Sequence, residues 1–160
     1  MKDYLSISVP LPNKKQEIVR HLDADYLVCA IRRKLIKVQP EELLRQRLLR
    51  FLINELRYPE NNIDVEVPMS YFKKNGRGRA DIVIYREDVS RAGQVLMVIE
   101  CKAEEIGIND YRFDNQLNSY CDIINAEYSV LTNGLDFKIV ERKTQNSLRS
   151  FPTFYDCIGS

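Results

Sequence analysis

The chain has 160 residues, of which 44% are hydrophobic and 29% charged, enough for one domain with a single buried core. Its 24 basic and 23 acidic residues nearly cancel, so global charge points to no nucleic-acid partner. A single histidine and four scattered cysteines without a C-x-x-C argue against zinc and against a disulfide framework. No apolar run reaches membrane-spanning length, and Met1–Pro10 lacks a signal peptide's apolar core, which predicts a soluble cytoplasmic protein with reduced thiols.

In chain order, residues 1–25 read as a poorly periodic lead-in, extended around Pro10 and Pro12. Tyr26–Ala30 and Lys34–Val38 read as two short strands around a basic turn, an N-terminal β-hairpin extension. Pro40-Glu41-Glu42 then opens a helix, with proline in the first turn and acids at the positive end of the dipole. Leu44, Leu48, Phe51, Leu52 and Leu56 recur at helical spacing, and Pro59 is expected to stop the run.

Ile63–Val67 alternates like a strand, and Asn75-Gly76 signals a hairpin turn. Asp81–Tyr85 and Val95–Lys102 follow as strands, the latter apolar enough to be central. Ile108–Ala126 reads as a second helix with Leu117, Tyr120, Ile123 and Ile124 inward. Tyr128–Leu131 and Phe137–Val140 are strands around Asn133-Gly134. The predicted class is therefore mixed α/β with an α-β-β-β-α-β core over about 26–142, within one domain spanning 1–160. The aromatic tail, 143–160, is left with two options, packing back on the core or awaiting a partner.

The chemistry concentrates between Arg79 and Lys102. Residues i and i+2 of a strand share a face, so Glu100 and Lys102 project together. Burying them at the end of Val95–Ile99 is costly unless they pair or meet an ion. If the two strands pair antiparallel, Asp81 arrives beside Glu100. Two hard carboxylates with room for water suit Mg²⁺ or Mn²⁺, with the Cys101 backbone carbonyl as a third candidate ligand and Lys102 offsetting developing charge. The plain alternative is a Lys–Glu ion pair beside an unrelated aspartate.

Local charge is segregated. Residues 70–80 hold Lys73, Lys74, Arg77 and Arg79 without an acid, and 32–50 hold seven basic residues against two acids. Residues 103–127 carry six acids and one base. A Gly- and Arg-bearing loop directly before Asp81 offers phosphate contacts through Arg77 and Arg79. Gln116 and Tyr120, four apart, share one face of the second helix.

Gly-Arg-Ala-Asp81-Ile-Val-Ile-Tyr followed by Val-Ile-Glu100-Cys-Lys102 resembles the PD-(D/E)xK nuclease superfamily, and within it the N-terminal domain of type I restriction enzyme R subunits, including short free-standing versions. The resemblance extends over Ile31-Arg-Arg-Lys, Pro40-Glu-Glu-Leu-Leu-Arg-Gln46, Tyr58-Pro59 and Leu131-Thr-Asn-Gly134, roughly residues 26–140. It implies a restriction-endonuclease-like fold and a Mg²⁺- or Mn²⁺-dependent deoxyribonuclease, an endonuclease by preference. In that scheme Asp81 and Glu100 hold the metal and Lys102 is the catalytic lysine. Glu41 or Glu42, with preference to Glu42, approaches it from the first helix, and Gln116 and Tyr120 form a Q-x-x-x-Y motif near the DNA. Ala80 stands where the superfamily name has proline.

The implied partners are DNA and other restriction or DNA-processing subunits. No G-x-x-x-x-G-K-[ST] appears, so ATP binding by this chain is not expected. The alternative is a non-catalytic or weakly catalytic nucleic-acid-binding module of the same fold acting with partner proteins.

Overall fold

The computed structural model describes residues 7–8, 18–91 and 93–159. Its centre is a seven-stranded mixed sheet: β1 (Ile7–Ser8), β5 (Ile63–Pro68), β6 (Arg79–Tyr85), β7 (Val95–Cys101), β8 (Tyr128–Thr132), β9 (Asp136–Glu141) and β10 (Asn146–Ser147). The order is β1-β9-β8-β7-β6-β5, with β10 also on β9. All pairs are antiparallel except β7–β8, whose parallel pairing requires a crossover. Helix α2 (Tyr111–Ile124) supplies it.

Helix α1 (Pro40–Asn54) lies on the opposite face from α2. Leu44, Leu48, Leu49 and Leu52 pack there against Ile82, Ile84, Met97 and Ile99. On the other face Leu117, Tyr120, Cys121 and Ile124 of α2 cover Val83, Val98 and Leu131. Strand β7 is buried along its whole length, as its unbroken apolar run requires.

The expected α-β-β-β-α-β order is met, with differences at the margins. Helix α1 stops at Asn54 rather than at Pro59: Arg57 turns left-handed and Tyr58 N–H donates to Leu52 O at 2.9 Å, closing the helix end. Helix α2 starts at Tyr111, not Ile108, because the Asp110 side chain caps Arg112 N–H at 2.9 Å, and left-handed Asn125 ends it. The N-terminal hairpin is a three-stranded sheet, β2 (Ile18–His21), β3 (Ala24–Val28) and β4 (Leu35–Lys37). Ile7–Ser8 pairs with β9, a strand that aperiodic sequence did not reveal. Pro10 and Pro12 lie outside the described residues.

The tail packs back. Phe151 sits edge-on to Phe51 and Phe137, and a short helix, α3 (Phe154–Ile158), adds Cys157 to the α1-side core. Among the described residues no helix is long and apolar enough to cross a membrane.

Candidate active site

The β6–β7 ladder ends with Ile82 opposite Ile99, and the same register sets Asp81 across from Glu100. There side chains take over from the backbone. Asp81 N–H donates to Glu100 Oε1 at 3.2 Å, and Cys101 N–H donates to Asp81 Oδ2 at 2.8 Å. Strand β7 stays paired to β8 through Cys101 opposite Thr132. The ladder therefore parts on one side only, and two carboxylates occupy the fork.

Neither carboxylate is comfortable ionised in this setting. Glu100 is 4% exposed, and burial together with the charge of Asp81 pushes its carboxyl up to about 9. Asp81 is raised as well, by burial, against the lowering effects of the Cys101 N–H and Arg45. Lys102 acts on Glu100 in the lowering sense, and its Nζ lies 4.6 Å from the ring centroid of Phe113 in the first turn of α2. Asp81 and Glu100 thus meet at the end of the ladder, and Lys102, the next residue but one, acts on Glu100 through its charge. The Cys101 thiol belongs to the α1-side core and is raised well above the usual range by burial, so its part in the fork is its backbone.

The first-helix acids divide differently from the preferred assignment. Glu42 is buried and committed to α1 itself: its carboxylate accepts from Arg45, from Gln46 Nε2 at 2.9 Å and from Arg32 at 3.3 Å. Gln46 Oε1 in turn accepts from Ala30 N–H at 2.9 Å, so this network fastens the N-terminal extension to α1. Glu41 is the residue whose carboxyl feels the fork. Burial raises it first, then Asp81, while Lys102 pulls it down. Glu42 is thus engaged by two guanidiniums and an amide, while Glu41, exposed on the first turn of α1, is the acid of the pair whose carboxyl is shifted by Asp81 and Lys102.

Gln116 Nε2 donates to Tyr120 Oη at 3.0 Å, confirming that i and i+4 share a face. Tyr120 is buried, and its hydroxyl touches the backbone just ahead of β6: a Cβ on Gly78 (φ +88°) would fall on that hydroxyl. Gly78 is glycine for both reasons, the left-handed backbone and the contact. Arg77 is exposed in the same loop. Arg79 is largely exposed but is paired with Glu66 Oε2 at 3.3 Å.

Sequence reasoning passed over Arg45, Glu66 and Phe113. Arg45 is buried and touches Glu42 and Glu66, with Nη1 3.7 Å from Asp81 Oδ1. The available signal was its place four residues after Glu41 on a helix that had to face the fork. Glu66 lies within the alternating Ile63–Val67 run, which carries no signal of a charged contact. Among the described residues no three His, Cys, Asp or Glu side chains converge as a ready-made metal cage.

Fold and fork together define an α/β domain with paired carboxylates at the open end of a mixed sheet. The model of the family described as type I restriction enzyme R protein N terminus (HSDR_N) matches residues 40–153, and the chain belongs to that family. A fragment assigned as an HsdR subunit of a type I restriction enzyme from Vibrio vulnificus YJ016 shares the fold, with a TM-score of 0.54 at 21% identity over 71% of this chain. This chain spans 24% of that one. Among curated proteins none matches it.

Proposed function

We propose that the domain hydrolyses DNA phosphodiesters in the PD-(D/E)xK manner with Mg²⁺ or Mn²⁺, as an endonuclease. The observation that carries this reading is the fork itself, with Asp81 and Glu100 side by side and the charge of Lys102 acting on Glu100. Two adjacent carboxylates at the end of a ladder, each hydrogen-bonded to a backbone N–H there, fit a hard divalent cation that keeps several waters and asks for few protein ligands.

Asp81 and Glu100 would hold the ion, with the Cys101 carbonyl as a candidate third ligand. When bound, the ion supplies Lewis acidity to a phosphoryl oxygen and acidifies a water. Lys102, steadied by Phe113, offsets charge developing on the phosphate as a bond to water oxygen forms and a bond to one ester oxygen breaks. Arg77 and Arg79 would track phosphates beside Asp81, and Gln116 and Tyr120 would brace the loop that carries them. DNA is the proposed substrate, other restriction subunits the proposed partners, and the cytoplasm the proposed setting.

The deciding measurement is cleavage of duplex, single-stranded and branched DNA with Mg²⁺ or Mn²⁺ by the wild type, Asp81→Ala and Lys102→Ala. Metal-dependent cleavage reduced at least about a hundredfold in both variants is expected. Equal cleavage by wild type and Lys102→Ala would assign the activity to a contaminant. Salt-sensitive binding without cleavage would leave a nucleic-acid-binding module.

A further inference from the structure

Strand β5 contains a break in alternation next to the fork. Val65 packs in the α1-side core and Val67 in the α2-side core, although residues two apart in a regular strand share a face. Between them Glu66 has φ +54°, a left-handed backbone that glycine or asparagine adopts far more easily. The register runs on either side of it, Val65 opposite Ile82 and Val67 opposite Ala80, which sets Glu66 across from Asp81. A strained non-glycine residue opposite a candidate metal ligand asks for a role for its side chain.

That side chain meets two guanidiniums, Arg45 and Arg79. Arg45 is surrounded by three carboxylates: Glu42 and Glu66 in direct contact, and Asp81 Oδ1 beyond hydrogen-bonding reach at 3.7 Å. Glu42 engages Nη2 and Glu66 engages Nη1, the nitrogen nearest Asp81. Asp81 Oδ2 accepts from Cys101 N–H, while Oδ1 is the oxygen turned to the guanidinium.

We propose that Glu66 is a positioning residue for Asp81: by engaging Arg45 Nη1 it keeps that guanidinium from closing on Asp81 Oδ1, which stays available to a divalent cation. The inference rests on the nuclease reading. Without the Glu66 carboxylate, Arg45 swings the short distance to Asp81 and competes with the ion.

Calorimetric titration of Mn²⁺ into the full chain, with a thermal melt of each variant, tests this. Wild type is expected to bind Mn²⁺ and Asp81→Asn to lose it. Failure of wild type to bind would overturn the nuclease reading and the inference with it. Given wild-type binding, Glu66→Gly is the informative variant, because glycine suits the left-handed backbone and leaves the strand geometry intact while deleting the carboxylate.

Glu66→Gly and Glu66→Gln are both expected to fold and to bind Mn²⁺ about 10- to 100-fold more weakly. Adding Arg45→Gln to Glu66→Gln is expected to recover part of that affinity, which loss of a merely structural residue would not produce. If the double variant fails to fold, Arg45→Lys replaces it, since an ammonium cannot span Glu42 and Asp81 as a guanidinium does. Unchanged Mn²⁺ affinity in Glu66→Gly, or no recovery on changing Arg45, would overturn the proposal.

Discussion

Glu100 illustrates how one side chain couples the fold to pH. Its carboxyl ordinarily titrates at 4.5 and here is pushed up to about 9, by burial and by Asp81. A folded-state pKa above the unfolded one contributes stability that is complete below about 4.5 and drains away as pH rises through about 9. The carboxyls of Asp88, Asp110 and Asp156 are lowered instead, by hydrogen bonds, so they are ionised in both states above about pH 5 and leave the slope alone. With a chelator present, the urea midpoint is therefore expected to fall between about pH 5 and pH 9, and Glu100→Gln to flatten that fall. An equal slope in Glu100→Gln would mean that the carboxyl is not held neutral in the fork.

The same scale explains which site residues were readable. Glu100 and Lys102 follow from alternation on a strand, and Asp81 from antiparallel pairing, because both rules are local. The choice between Glu41 and Glu42 is not local: two adjacent helical residues point about 100° apart, and only the docking of α1 says which one Arg32 and Arg45 cover. Arg45 and Glu66 were hidden because a buried guanidinium and a left-handed strand residue contradict the propensities of their types.

At the scale of elements, the loop before β6 meets helix α2 in a close contact, Gly78 against the Tyr120 hydroxyl. Gly78→Ala introduces both a strained φ and a Cβ on that hydroxyl, and is expected to cost about 1–3 kcal/mol. Tyr120→Phe in the same background should return part of the loss, since it removes the oxygen but not the φ strain. Full additivity in a double-mutant cycle by urea unfolding would show that loop and helix do not touch.

Helix α1 depends on a different junction. The Thr132–Gly134 turn packs against it, where a Cβ on Gly134 would strike Leu44 Cδ1 at 2.6 Å. Asn133 Oδ1 accepts from Leu135 N–H and Asp136 N–H, and its Nδ2 donates to Ile106 O at 2.8 Å, tying down the segment after Lys102. The Leu-Thr-Asn-Gly motif therefore has a structural reason here, as a clasp between α1, the turn and the stretch leading to α2.

At the scale of the molecule, the chain closes on itself through its tail. Tyr58 Oη donates to Pro152 O at 2.8 Å, Phe154 N–H donates to Leu56 O at 2.9 Å, and Phe151 fills the space between Phe51 and Phe137. Phe151→Ala is expected to destabilise by about 3 kcal/mol, read as the shift in urea midpoint at constant slope. A change under about 0.5 kcal/mol would mean that the tail is an appendage rather than part of the core. Sequence left this open because aromatic residues near a proline carry no periodicity, and two of their partners, Phe51 and Tyr58, lie far earlier in the chain.

By itself the sequence determined the alternation of helix and strand, the central place of β7 and the meeting of Asp81 with Glu100. Those follow from hydrophobic period and strand pairing, which act over neighbouring residues. Only the tertiary structure decided that Arg32 and Arg45 cover Glu42, that Arg45 lies buried among three carboxylates, and that Glu66 breaks its strand opposite Asp81. These depend on which charges are brought out of water together, and that is set by how α1, β5 and β6 dock.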